Sequence, residues 1–327
     1  MKKRNVLPWG FLLRIGIALF LTAPSVVFGA SAARASAFVT YPESWDVGQA
    51  FVVALSSNTS FDSPALTWMG RTISLDVESG REGVVSYGLL GSYVRDVRPG
   101  DYPLEFAFTQ DGERFEVKRT VTLKERAYPE EKLTVEGRMV TPPKSEIARI
   151  RKEARLAAAA RGTMTAERRW TTPFERPVPG VFTSGYGLRR VYNDVPKGCH
   201  AGTDFRAAVG TPVKAPFAGT VVLTGHHYYA GRSVYLDAGN GVVGLFFHMD
   251  KVKVKKGDRV KKGQTIGESG VTGRVTGPHL HFGLSLAGQY ADAAPLFETS
   301  VTALLKSMKR ETVRGDARGD ILPPSDP

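Results

Sequence analysis

His279-Leu280-His281 puts two imidazoles on alternate positions, and alternate side chains share a face only where the backbone is extended. Pro278, just ahead of the pair, favours that extended geometry. The chain has 6 histidines, all between positions 200 and 281, and four of them, His200, His248, His279 and His281, fall into one candidate constellation. His200 stands four residues before Asp204, and His248 sits in the apolar run Phe246-Phe247-His248-Met249. The helical His-Glu-x-x-His arrangement is absent. A site assembled from these groups has to be carried on β-structure.

Several imidazoles beside one carboxylate are the donors that zinc takes, and a site with three protein ligands and one open position is a catalytic one. A closed thiolate cage is excluded, because the chain has one cysteine, Cys199. The motifs contain no Glu to act as a base. Imidazole, with an ordinary pKa near about 6.5, suits proton transfer at neutral pH. The constellation therefore reads as a mononuclear zinc site with histidines to spare, and so as a hydrolase.

H-x(3)-D at His200–Asp204, the lone His248 in its aromatic context, and H-x-H inside Thr276-Gly277-Pro278-His279-Leu280-His281-Phe282 together resemble the lysostaphin/LytM-type zinc endopeptidases, which cut peptide bonds in peptidoglycan. The resemblance covers residues 179–297. It implies an antiparallel β catalytic domain of barrel-sandwich type built on a duplicated hybrid motif. It implies one Zn2+ held by His200, Asp204 and His281, with His248 and His279 as non-ligand catalytic histidines, and peptidoglycan as the partner. Where the family often has Asp-His-Gly, this chain has Asp237-Ala238-Gly239, outside the metal and catalytic positions.

The first 37 residues read as a signal peptide. Lys2-Lys3-Arg4 is followed by an apolar stretch from Ile15 to Phe28, and by small-residue sites at Ala30-Ser31-Ala32 and Ala35-Ser36-Ala37. Cleavage is expected after Ala32 or Ala37. The stretch falls short of the roughly 20 residues of a membrane span, so no transmembrane span is expected after cleavage. The protein is then exported, to the periplasm or cell envelope. The net charge of +12 suits an anionic envelope surface, and export argues against nucleic acid as a partner. A single cysteine allows no internal disulfide, so stability has to come from the hydrophobic cores.

The expected architecture is mainly β. Residues 38–125 read as an immunoglobulin-like β-sandwich, with the buried-strand run Phe51-Val52-Val53-Ala54-Leu55, alternation at Leu104, Phe106 and Phe108, and a hairpin turn at Asp111-Gly112. Residues 126–178 form a linker with one helix, opened near Ser145 and closed by Gly162. Residues 179–298 form the zinc domain. Residues 299–327 are expected as a C-terminal helix and a disordered tail. His226, His227, Tyr228 and Tyr229 read as loop residues.

Two rivals share parts of the pattern. Segments around Pro212-Val213-Lys214-Ala215-Pro216 and Lys256-Gly257-Asp258 resemble halves of biotinyl and lipoyl carrier domains, but no convincing candidate for the modified lysine, which belongs at a hairpin tip beside a small or Met residue, stands between them. A non-catalytic wall-binding factor, or an activator of other wall hydrolases, is the alternative within the family. Such relatives lack metal ligands, and here the full set is present.

Overall fold

The computed structural model describes residues 36–80 and 83–313. Nearly all of the leader, and the tail beyond 313, lie outside the described residues. Among the described residues no helix is long and apolar enough to cross a membrane.

Two five-stranded sheets, drawn from residues 37–124 with one strand from near residue 313, enclose one core. One contains Ala37–Tyr41, Phe51–Ser57 and Gly83–Leu90; the other contains Asp62–Trp68, Gly100–Gln110 and Glu113–Lys124. Leu104, Phe106 and Phe108 point inward together, as their alternation requires. Asp111 and Gly112 adopt φ of 52° and 80°, the left-handed pair of a two-residue hairpin turn, so Gln110 pairs directly with Glu113. Trp68 closes the core edge-on against Phe51, with its indole N–H donating to the Gly91 carbonyl at 2.7 Å.

The second part is a ten-stranded antiparallel sheet. Its central order is Phe182–Ser184, Thr203–Arg206, His279–Leu286, Val242–Val252, Gly231–Asp237 and Gly219–His227. Leu280, Phe282, Leu284 and Leu286 alternate into the main core with Phe205 and Phe246. The opposite set, beginning with His279 and His281, is thereby turned the other way.

The apolar run at 51–55 has both faces buried. Phe51, Val53 and Leu55 enter the sandwich core, while Val52, with Ala50, enters the core of the ten-stranded part with Leu296 and Val301. The run 51–55 is thus shared between the two cores.

Three local expectations need correction. The region 299–327 is not only a helix and tail: after the helix Val301–Leu305, Lys309–Val313 forms a strand antiparallel to Ala37–Tyr41. Its charged, half-exposed sequence is that of an edge strand and carries no apolar alternation. The linker also contributes a strand, Glu130–Leu133, parallel to Arg189–Tyr192. The linker helix, Lys144–Arg161, starts after Pro143 with no side-chain cap, and Gly162 follows its end. Its small Ala157 and Ala160 let it lie close over Tyr235, Val243 and Leu245.

Candidate metal centre and cleft

Neighbouring strands bring the site together. Asp204 in Thr203–Arg206 is paired with His281 in His279–Leu286, and His281 is also paired with Phe247 in Val242–Val252. His200 lies just before Thr203–Arg206, at the end of the hairpin strand Val195–Cys199. The stretch from His200 to Asp204 is a bend rather than a regular strand. Alternation alone therefore does not align this pair; the loop does.

His200 Nε2, His281 Nδ1 and Asp204 Oδ1 form a triangle with edges of 3.0, 2.9 and 3.0 Å. All three residues are buried, and they are the one group among the described residues whose donor atoms cluster as metal ligands would. His200 Nδ1 lies 2.7 Å from the Gly185 carbonyl. A carbonyl only accepts, so Nδ1 is the donor there and Nε2 is the nitrogen turned inward. Two imidazole nitrogens and a carboxylate oxygen facing one point are a fitting donor set for a divalent cation, with the remaining side open to the cleft.

Asp204 divides its oxygens. Oδ1 faces the imidazoles, and Oδ2 accepts from Arg190 at 3.3 Å. Burial pushes the Asp204 carboxyl up, but His200 and His281 outweigh it and hold it well below the usual carboxylate range. Burial pushes His281 down to about 4, against the pull of Asp204. The site at neutral pH is thus an ionised carboxylate beside a neutral His281.

His248 reaches the cleft through a distortion of its strand. Val234 pairs with Phe246 and Arg232 with Met249, so two residues, Phe247 and His248, oppose the single Ser233. This bulge gives His248 a φ of 63°, a left-handed conformation that β-carbon sterics disfavour. In a regular strand adjacent side chains point to opposite faces. Here Phe247 stacks on His281, with centroids 5.2 Å apart and planes 6° apart, while the His248 ring lies 4.9 Å from that of His279.

His248 Nδ1 donates to the Thr272 carbonyl at 2.8 Å, and His279 Nδ1 donates to the Gly277 carbonyl at 2.9 Å. Both rings are therefore held with Nε2 as the free nitrogen. His279 Nε2 stands 3.8 Å from Asp204 Oδ1, outside the triangle but beside it. Burial drives the His248 pKa well below its ordinary value, with His279 and His281 adding to the effect.

The remaining candidates separate. Tyr229 lines the cleft, whereas His227 turns to Ser233 Oγ at 3.1 Å and Tyr228 donates to the Arg138 carbonyl at 2.8 Å. Cys199 borders the cleft, but its thiol points to the Tyr93 hydroxyl at 3.7 Å, and burial pushes its pKa up. Asp237 accepts from Gly239 N and Thr165 Oγ1, a turn-forming role. Sequence reasoning missed Arg190, Glu131 and Arg274, which carry no spacing signal and gain meaning only from their neighbours, and it read Phe247 only as the context of His248.

The profile of peptidase family M23 matches residues 198–293. Peptidoglycan DD-endopeptidase ShyA of Vibrio cholerae is 49% identical over 94 residues, which cover 29% of this chain and 22% of that protein. The match thus spans about a fifth of that curated relative's length. The catalytic domain of lysostaphin from Staphylococcus simulans is 36% identical, covering 37% of this chain and 93% of that domain, with a TM-score of 0.33. A putative peptidase M23 from Pseudomonas aeruginosa is 27% identical with a TM-score of 0.59, covering 77% of this chain and 94% of that one.

Proposed function

We propose that this chain, which through residues 198–293 belongs to peptidase family M23, the lysostaphin/LytM type, is an exported zinc-dependent endopeptidase that hydrolyses amide bonds in peptidoglycan peptides or cross-links. The observation that carries the reading is the convergence of His200 Nε2, His281 Nδ1 and Asp204 Oδ1 within 3.0 Å of one another. These three residues would hold one zinc. Zinc in such a set supplies Lewis acidity toward a carbonyl and an acidified water.

The chain's own part in the reaction falls to two fixed imidazoles. His248 and His279 each spend Nδ1–H on a backbone carbonyl. Each Nε2 is then free to accept a proton from water, and once protonated to donate to the departing amine or to a developing oxyanion. Because both rings are tied to backbone, little reorganisation is needed when charge develops. The leader pattern in the first 37 residues supports a location outside the cytoplasm, in the periplasm or cell envelope.

The test is digestion of purified sacculi by the protein without its leader, followed by mass analysis of the released muropeptides. Cleavage at peptide bonds, abolished by chelation and restored by zinc, is the expected result. Release of glycan fragments with intact peptides, or no release with zinc present, overturns the reading.

A further inference from the structure

Arg274 lies in the cleft wall, five positions before His279, on the loop that also supplies the Thr272 carbonyl to His248. Its guanidinium carbon is 4.3 Å from the centroid of Tyr192 and 4.7 Å from that of Tyr229. Two aromatic faces thus grip one cation from different strands or turns. Its backbone N–H donates to the Tyr229 carbonyl at 2.9 Å. The adjacent Gly273, with a φ of 81°, is packed so tightly that an added β-carbon would meet the same carbonyl at 2.4 Å. The loop is therefore fixed against the turn at 228–231, and the guanidinium is fixed with it.

The electrostatics of the cleft are unbalanced around this group. Asp204 is the one acidic side chain in the lining, and it is occupied by His200, His281 and Arg190. Arg190 is neutralised by Glu131 at 2.6 Å. Among the described residues neither Arg274 nor Lys197, which also lines the cleft, has a carboxylate partner. Cation–π contact orients a guanidinium without consuming its N–H donors, which lie in its plane. A planar fork, held rigid and left without a counter-charge in the wall of the same cleft, is suited to a carboxylate in bidentate geometry.

We propose that Arg274 is a substrate-reading residue, and that the cleft takes peptides carrying a free carboxylate near the scissile bond in preference to their carboxamide counterparts. The inference rests on the peptidase reading above and deepens it. The carboxylate can come from an acidic side chain or from a peptide C-terminus, and the chemistry at Arg274 is the same.

The experiment uses the full exported chain loaded with zinc, and a set of cross-linked wall peptides. One has both carboxylates free, one is amidated at the side chain, and one is amidated at the C-terminus. The free acid is expected to be cleaved with a kcat/KM about 10- to 100-fold above one of the amides, the worth of a charge-assisted hydrogen bond; the amide that suffers identifies the source. The difference is expected mainly in KM. Arg274→Gln should bring the ratio close to one, and Arg274→Lys should restore part of it. Calorimetric binding of the free-acid and amide forms of a cleaved product peptide supplies a readout independent of turnover.

If the wild type treats acid and amides alike in both cleavage and binding, the inference is overturned. It is also overturned if Arg274→Gln slows all substrates by one common factor, which marks a structural role. If no peptide is cleaved at all, the peptidase reading fails, while the binding comparison still decides the role of Arg274. If Arg274→Gln does not fold, the wild-type ratio and the Arg274→Lys variant carry the decision.

Discussion

Glu131 and Arg190 are joined at 2.6 Å, and the same guanidinium reaches Asp204 Oδ2 at 3.3 Å. Glu131 belongs to the linker strand, so a residue outside the family-matched segment supports the proposed metal carboxylate. Arg190 also donates to Ser184 Oγ at 3.0 Å, which fixes the guanidinium plane. Glu131 offsets a buried positive charge that would otherwise oppose a cation. We expect Glu131→Gln to lower zinc affinity by roughly 10-fold, as changes to residues behind metal ligands do. Competition with a chromophoric chelator measures it. The same substitution in an Arg190→Met background should have little further effect; an undiminished effect there would show that Glu131 does not act through Arg190.

The proposed ligands and the proposed catalytic histidines separate by metal content. The wild type should carry about one zinc per chain by elemental analysis, since three donors hold a single catalytic metal. His281→Ala should lose both zinc and hydrolysis. His248→Ala and His279→Ala should keep zinc and lose about 10²- to 10⁴-fold in rate, the scale of general acid–base catalysis. Zinc lost from His279→Ala but retained by His281→Ala would reverse the assignment.

His248 should be a site where function opposes stability. Its φ of 63° costs a residue with a β-carbon about 1–2 kcal/mol. His248→Gly and His248→Ala both remove the imidazole, but only glycine relieves the backbone. Denaturant unfolding should find His248→Gly more stable than His248→Ala by about 1 kcal/mol. Equal stabilities would mean that the surrounding bulge does not hold the left-handed conformation.

Acid should destabilise the fold in a defined direction through His227. Burial lowers its pKa below the ordinary value of 6.5. The unfolded chain therefore takes up a proton at a higher pH than the folded one. The stabilisation is complete above about 6.5 and is lost as pH falls from there through the lower folded value. Thermal unfolding measured from pH 8 to 5 should show a falling midpoint, with a shallower fall in His227→Gln. An unchanged slope in that variant would remove His227 as a contributor.

The comparison of sequence with structure divides by the range of the cause. His279 and His281 are legible because alternation is local, and the turn at Asp111-Gly112 because a two-residue loop needs left-handed φ at both positions. The apolar runs at 51–55 and 246–249 announce strands, and both lie in strands. What alternation misleads about is His248: a bulge inserts one residue and re-aims the side chain, and nothing in Phe247-His248 itself marks the insertion. Arg190, Glu131 and Arg274 look like ordinary surface charges until partners far along the chain surround them. The strand Lys309–Val313 has the composition of solvated chain, and its pairing with Ala37–Tyr41 follows from the tertiary fold rather than from a pattern of its own.

That pairing has a consequence for how the protein is made. Ala37–Tyr41 is among the first described segments to be synthesised, and its partner Lys309–Val313 is the last. The edge of Ala37–Tyr41 therefore stays unpaired until residues 309–313 have been made, and Lys309–Val313 then takes over as the outer strand of the sheet. Almost the whole described chain must be synthesised before this sheet reaches its final width.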